Sequence, residues 1–369
     1  MRVAIVHDYL VQFGGAERVV AALHELYPDA PIYTSLYDPT RLPDNFRRMD
    51  IRTSWLQNIP LASRWFKALF LFYPLAFERF DLGEYDVIIS SSSAYAKGVK
   101  KRPDQLHLCY CHTPMRFVWR YDDYVAREGL PELVKQILPF FLEPLKTWDL
   151  QTSARVDQFI ANSATVAERI RGIYGRDSVI INPPVESDLF RPGSVDGDYF
   201  LVVSRLAAYK RLDVAIDACR AADVPLRVIG EGPARAALEK RAGPNTVFLG
   251  RLGDREVAAQ LAGCRALLFP GEEDFGITPL EAMACGRPVI AYKAGGARET
   301  VVEGESGLFF TPQTAAALTA VLHQFRFRQF AKARVRQQAQ RFSKPLFLER
   351  IAGLIREKYE EKFGQERRR

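Results

Sequence analysis

No apolar run in this chain nears the about 20 residues that a membrane-spanning helix needs. The longest, Ala68 to Phe77, holds ten and contains Pro74. The opening Val3-Ala-Ile-Val6 is too short for the centre of a secretory signal, so neither spanning nor export is expected and a cytoplasmic location is. Cysteine is scarce. Cys109, Cys111, Cys219, Cys264 and Cys285 are an odd set without regular spacing, which excludes a disulfide framework and fits a reducing compartment. Cys109-x-Cys111-His112 could suggest a metal, yet no second cluster supplies further ligands, and alternate residues on one strand explain it. There is no tandem repeat or low-complexity tract. Nor is basic charge spread through the chain: of the net +7, the stretch from His323 to Arg369 carries 14 Lys and Arg against five Glu, leaving the remainder near neutral.

What is present points to two cores. At 369 residues, 48% of them hydrophobic, the chain exceeds what one core usually holds. Short apolar runs alternate with helix-like segments, the pattern of a parallel α/β sheet covered by helices. Strands are expected at 3–6, 32–35, 87–90, 106–110, 158–161 and 179–181, and again at 199–203, 226–229, 246–249, 266–269, 289–291 and 308–310. Between the two sets, Asn182 to Asp198 is rich in proline and turn formers and is read as a hinge. This gives a first domain over 1–185 and a second over 198–345. Leu346, Phe347, Ile351, Leu354, Ile355 and Tyr359 recur at helical spacing after a break at Ser343-Lys-Pro345. That final helix, about 346–369, is expected to return to the first domain.

Ligands of open parallel sheets bind beyond the carboxyl ends of the strands, so the residues there carry the functional reading. After Ala266–Phe269 comes Glu273-Asp274-Phe275-Gly276-Ile277-Thr278-Pro279-Leu280-Glu281, with one carboxylate in a loop and the other on a helix opened by Gly276 to Pro279. Glu273 can meet a ligand's polar head, the amides around Gly276 and Ile277 its phosphates, and Glu281 vicinal hydroxyls such as a ribose. That is a site for a nucleotide sugar; the alternative is a buried helix flanked by two solvated carboxylates. Arg205, as a fork, and Lys210, as a mobile point charge, follow the 199–203 strand and can converge on a diphosphate. Gly230 and the Gly250-Arg251 pair, after the next two strands, would let a nucleoside approach the backbone, or are simply turns. In the first half, Asp8 precedes Gly14-Gly15-Ala16-Glu17, whose amides can approach sugar and phosphate. His112 ends a strand within the aromatic stretch Tyr110 to Tyr124, where a sugar could stack and hydrogen-bond, although a structural histidine is the ordinary alternative.

The segment Phe269 to Val289, with Ser204-Arg-Leu-Ala-Ala-Tyr-Lys210, Gly14-Gly-Ala-Glu17 and Ala294-Gly-Gly-Ala-Arg-Glu299, resembles the retaining glycosyltransferases of family 4 over essentially the whole chain. His7-Asp-Tyr-Leu10 and Cys111-His-Thr-Pro-Met-Arg-Phe-Val-Trp119 are most similar to bacterial mannosyltransferases of O-antigen and exopolysaccharide assembly. The resemblance implies a GT-B fold, two Rossmann-like doubly wound domains with an inter-domain cleft. It also implies metal-independent, cofactor-free transfer with retention, from GDP-mannose first and UDP-sugars second. The acceptor implied is a glycan or polyprenyl-linked oligosaccharide at the inner face of a membrane. Position by position, it gives Arg205 and Lys210 the diphosphate, Glu281 the ribose, Glu273 the donor sugar, His112 the transferred sugar and Gly15 the phosphates. Asp274 departs from the family, where glycine is common. Asp196-Gly-Asp198 has the spacing of another class's metal site but lies in the linker and is read as a turn.

Rival readings are a GT-B epimerase or hydrolase of nucleotide sugars and a non-catalytic two-lobed sugar-binding protein. Nucleic acid is not an expected partner, since the basic tail carries a helix's apolar periodicity. Between Arg41 and Phe80, seven Arg and Lys mix with nine aromatic residues, among them Trp55, Trp65, Phe66 and Phe72. On a helix these suit an anionic bilayer surface, helped by Arg367 to Arg369; alternatively the aromatics are core and the arginines a solvated face.

Overall fold

The computed structural model describes residues 1–121, 132–194, 196–326 and 329–364. Asp122 to Tyr124 and Arg367 to Arg369, invoked above, lie outside them. The chain divides into two compact units, Met1–Pro184 with Pro345–Arg369, and Val185–Lys344.

Unit 1 is built on seven parallel strands: β1 (Val3–His7), β2 (Ile32–Thr34), β3 (Ile51–Thr53), β4 (Val87–Ser92), β5 (Leu106–Cys111), β6 (Gln158–Ala161) and β7 (Ser178–Ile180), in the order β3-β2-β1-β4-β5-β6-β7. Every residue of β1, β4 and β5 is buried, as a parallel strand covered on both faces requires. Side-chain alternation sorts these residues. Val3, Ile5, Val87, Ile89, Leu106, Leu108 and Tyr110 face one core, under the helices Gly15–Leu26 and Lys344–Phe363. Ala4, Val6 and Ile88 face another, under 55–80 and the helix Glu132–Ser153. The last helix groups with unit 1 and buries Phe347, Ile351, Leu354 and Ile355, each contributing roughly 1.5–3 kcal/mol.

Unit 2 has six parallel strands, β8 (Phe200–Val203), β9 (Leu226–Ile229), β10 (Thr246–Gly250), β11 (Ala266–Phe269), β12 (Val289–Tyr292) and β13 (Gly307–Phe310), ordered β10-β9-β8-β11-β12-β13 around one continuous core. With helices joining the strands, both units are Rossmann-like, and the architecture is GT-B.

Two sequence expectations need correction. The 41–80 segment is no helix: it runs through the short 3₁₀ turns Pro39–Arg41, Asp44–Arg48, Trp55–Asn58 and Phe66–Leu69, the edge strand β3 and the helix Tyr73–Glu78. Pro43, Pro60 and Pro74 interrupt any longer one. Its aromatics divide, with Phe46, Tyr73 and Phe77 buried but Trp65 61% and Phe72 50% exposed. The strand β3 was also absent from the expected set, having one apolar residue among three. The Asn182–Asp198 stretch packs from Val185 onward with unit 2: Val185 N–H donates to the Phe342 carbonyl at 3.1 Å, and Asp196 pairs with Arg287 and Lys332 at 2.7 Å each. The five cysteines are free and buried. Among the described residues no helix is long and apolar enough to cross a membrane.

His107 lies wholly buried on β5, its Nε2 2.8 Å from Ser90 Oγ and its Nδ1 3.2 Å from the Arg155 carbonyl. Burial lowers its pKa to about 4 from 6.5. The unfolded chain therefore takes up a proton that the folded chain refuses as pH falls from 6.5 towards 4, and stability drops across that window by roughly 3 kcal/mol. Denaturant unfolding at pH 7 and pH 5 should show a steeper loss for the native protein than for His107→Gln; equal losses would exclude His107 as the cause.

Candidate functional site

In unit 2 the sheet grows one way through β8, β9 and β10 and the other through β11, β12 and β13, so the loops after β8 and β11 diverge from a common point, where such sheets hold ligands. Glycines knit these loops together. A Cβ on Gly230, at φ +135°, would overlap the Ser204 carbonyl, and one on Gly232 the Leu206 carbonyl. A Cβ on Gly271 would lie 2.9 Å from the Lys210 carbonyl oxygen, and those on Gly295 and Gly296 would strike the backbones of Glu273 and Phe275. Four strand ends thus meet at backbone contact. Hydrogen bonds reinforce them: Gly296 N–H donates to the Glu273 carbonyl at 2.9 Å, and Gln313 donates to the Pro270 carbonyl at 2.8 Å while accepting from Arg211 at 3.1 Å.

On this frame Lys210, ending a 3₁₀ turn after β8, forms an ion pair with Glu273 in the loop after β11. The expected diphosphate and sugar residues are therefore in contact with each other. Arg205 is exposed in the same loop as Lys210. Gly276, at φ +85° and ψ 88°, caps the helix Ile277–Ala284 without a side-chain hydrogen bond. A positive φ with Phe269 Cζ 2.9 Å from any Cβ admits only glycine here. The first turn of this helix holds no acidic residue, and Ile277 and Thr278 are only partly buried, so their amides suit an anion. Glu281, further along, is 6% exposed. Asp274 is half-buried, whereas the Phe275 ring is in the core, 5.7 Å from that of Phe342, and can offer a ligand only its backbone. Gly250 ends the edge strand β10 and Arg251 follows it; Gly250 is tied by its carbonyl to Gly230 N–H at 2.8 Å, and Arg251 is exposed.

Unit 1 has its own point of reversal, between β1 and β4. The register pairs His7 with Ser91 and Ser91 with Tyr110, so the polar ends of the apolar rows fall side by side. His7 Nδ1 lies 3.0 Å from the Ser91 carbonyl and 3.1 Å from Ser91 Oγ, and that hydroxyl lies 2.8 Å from His112 Nε2. Gly14 caps the helix Gly15–Leu26 and donates its N–H to Glu17 at 2.8 Å; the other Glu17 oxygen is 3.7 Å from His7 Nε2. Burial, the largest single influence, pulls the His7 pKa down, but Glu17, Asp8 and the Ser91 carbonyl together outweigh it and the pKa is raised. Gly15 is exposed at the helix start. Asp8, 2% exposed, accepts from the amides of Ser93, Ala94, Tyr95 and Ala96 at 2.6 to 3.0 Å, fixing the loop after β4 to the end of β1. Sequence reasoning gave no role to His7, Glu17 or Ser91, nor to the buried Lys97–Asp149 pair at 2.6 Å. The His-Asp dipeptide at the end of β1 was the available signal.

Among the described residues no group of three or more His, Cys, Asp or Glu is placed to hold a metal ion. Asp196 serves Arg287 and Lys332.

Comparison with known proteins follows this division. Residues 13–189 match the model of Glycosyltransferase Family 4, and residues 186–342 that of Glycosyl transferases group 1. An O-antigen chain mannosyltransferase C of Escherichia coli is 26% identical over 239 residues, 60% of this chain and 62% of that protein. The match thus spans less than two thirds of that relative's length. An alpha-1,3/1,6-mannosyltransferase of Dictyostelium discoideum is 24% identical over 85% of this chain and 86% of its own. The Anabaena protein HepE, solved in complex with UDP and glucose, superimposes with a TM-score of 0.71 at 18% identity over 97% of this chain and 100% of that one.

The glycine contacts are testable. Gly296 has helical φ and ψ, so alanine there is penalised only by its collision with Phe275. Gly296→Ala should cost about 1–3 kcal/mol in denaturant unfolding. Gly172→Ala, in a helix with nothing within 4 Å of the added methyl, should gain up to about 1 kcal/mol. Equal effects would show that loop contact does not constrain Gly296.

Proposed function

The chain belongs to glycosyltransferase family 4, and from that premise we propose that it transfers a hexose from a nucleotide diphosphate sugar to a hydroxyl of a glycan or polyprenyl-linked oligosaccharide. The donor proposed is GDP-mannose, with UDP-sugars second. The observation that carries the reading is the Lys210–Glu273 pair beside the open start of the helix Ile277–Ala284. A cation and free backbone amides at one strand-end frame suit a diphosphate, and the carboxylate suits sugar hydroxyls. The Escherichia coli and Dictyostelium relatives, both named mannosyltransferases, favour mannose; HepE, solved with UDP and glucose, supports a nucleotide sugar more generally.

In the proposed reaction the acceptor oxygen bonds to the anomeric carbon as the bond from that carbon to the diphosphate breaks. The acceptor proton passes to the leaving phosphate on the same face, which retains configuration. Negative charge grows on the diphosphate. Arg205, Lys210 and the amides of Ile277 and Thr278 would stabilise it without a metal. Glu273 would hold the donor sugar, Glu281 the ribose, and His112 of unit 1 a sugar hydroxyl. The exposed Leu61, Trp65 and Phe72 near Arg64 and Lys67 in sequence support peripheral contact with anionic lipid.

Lys210→Ala should lower kcat by on the order of 100-fold or more with a smaller change in KM, and Glu281→Ala should weaken nucleotide binding. Calorimetry should show GDP bound more tightly than UDP, unchanged by EDTA. Normal turnover of Lys210→Ala would remove the phosphate assignment, and binding lost to chelator would overturn the metal-free reading. The membrane contact has its own test. Sedimentation with anionic liposomes should weaken with salt and on changing Arg64 and Lys67 to Glu, each basic residue being worth up to about 1 kcal/mol; no sedimentation of the native protein would exclude it.

A further inference from the structure

Taking the transferase reading as given, we infer that Glu273 lets the site tell the sugar-bearing donor from the spent nucleoside diphosphate, by competing with the diphosphate for Lys210. The two side chains already hold each other: the Lys210 ammonium pairs with Glu273 Oε1, and only 16% and 24% of the two side chains are exposed. Partial removal from water strengthens such a pair over a surface one and makes either member costly to leave without a partner. Their backbones are fixed by other contacts. A Cβ on Gly271 would stand 2.9 Å from the Lys210 carbonyl oxygen, and the Glu273 carbonyl accepts from Gly296 N–H at 2.9 Å. Exchange of partners therefore falls to the side chains. The Tyr209 ring lies beside the ammonium, its centroid 5.1 Å away, and Glu272 and Asp274 flank Glu273 in the chain.

An anion that takes Lys210 must displace Glu273, and the two forms of the nucleotide do so on different terms. A nucleotide sugar brings a diphosphate for Lys210 and hydroxyls for Glu273, so both members of the pair are partnered again. A bare nucleoside diphosphate brings the anion alone. Glu273 then loses the ammonium, gains nothing in return and faces added negative charge. Transfer itself produces this state. As the bond from the anomeric carbon to the diphosphate breaks, its electron pair stays on the phosphate oxygen and the acceptor proton joins it; the terminal phosphate, with a second pKa of about 6, then gives that proton to water at neutral pH. The product so formed carries one more negative charge than the donor and has lost the hydroxyls that occupied Glu273.

Recapture of Lys210 by Glu273 opposes the product's hold on the site and favours its release. The same exchange limits what Lys210 adds to ground-state binding. An ammonium that gives up one anion for another gains little until charge builds on the departing diphosphate, which places its contribution in the transition state.

Calorimetry on the full-length protein with GDP and GDP-mannose, and with UDP and UDP-glucose as a second pair, tests the exchange. Glu273→Gln keeps the side chain's shape and removes its charge. It should tighten nucleoside diphosphate binding by roughly 10-fold, while binding of the matching nucleotide sugar stays the same or weakens. In a Lys210→Met background the same substitution should change diphosphate affinity by less than about 3-fold, since no ammonium is left to compete for. Glu272→Gln removes an equal charge one residue away and should likewise stay within about 3-fold. Should Glu273→Gln fail to fold, Glu273→Ala carries the same expectation. Diphosphate binding that is unchanged or weaker in Glu273→Gln overturns the inference. So does an equal gain in the Lys210→Met background or from Glu272→Gln, which would mark general repulsion in place of a shared partner. If the native protein binds none of the four nucleotides, the donor reading falls and the inference with it; if it binds one and the diphosphate is not tightened, the inference alone falls.

Discussion

A parallel sheet covered on both faces has no exposed side on which polar chemistry can be placed, and this limit governs both units. Through β1, β4 and β5 every residue is buried, and polar groups collect where the strands stop. His7, Asp8 and Ser91 to Ser93 mark one such end. Ser204 to Lys210 and Pro270 to Gly276 mark the other. The exceptions within the layers are costly and are matched with care. His107 is neutral between a hydroxyl and a carbonyl, and Lys97 sits against Asp149, which also takes hydrogens from Trp119 and Tyr174 at 2.6 and 2.8 Å. Removing one partner of such a pair would strand a buried charge, which is worth about 3–5 kcal/mol.

The two units meet the same constraint by different means. Unit 2 brings its loops together with small residues, so that backbone lies on backbone and each side chain is set by its neighbour's main chain. Unit 1 uses side chains instead, with the Asp8 carboxylate standing in for a loop's missing partners. Glycine contact leaves amide groups available to a ligand, whereas a carboxylate clamp consumes them.

Much of this was legible in the sequence, and the remainder was hidden for definite reasons. Strands buried on both faces announce themselves as apolar runs, so all but β3 were placed; Ile51-Arg-Thr53 is an edge strand with a single apolar residue. The helix expected across 41–80 came from counting aromatic and basic residues without giving weight to the prolines among them. Glu273 and Lys210 could each be singled out by position, but their pairing depends on two loops folded onto each other at Gly271. Phe275 looked like part of a ligand site because it lies in the motif, although its ring belongs to the core. Arg287, inside the same segment, is fully buried and pairs with Asp196, a contact distant in sequence that no local pattern reports. The His7, Ser91 and His112 alignment follows from strand register, which no local pattern reports.

The helix Lys344–Phe363 also imposes an order on the birth of the molecule. A ribosome completes β1 to β7 long before it reaches Phe347, Ile351, Leu354 and Ile355, yet the core over β1, β4 and β5 is lined by those four side chains. Unit 2 is contiguous from Val185 to Lys344 and has all its own parts by then. The half that is translated first is therefore the half that finishes second, and until then its unfinished apolar face is the surface a chaperone would find.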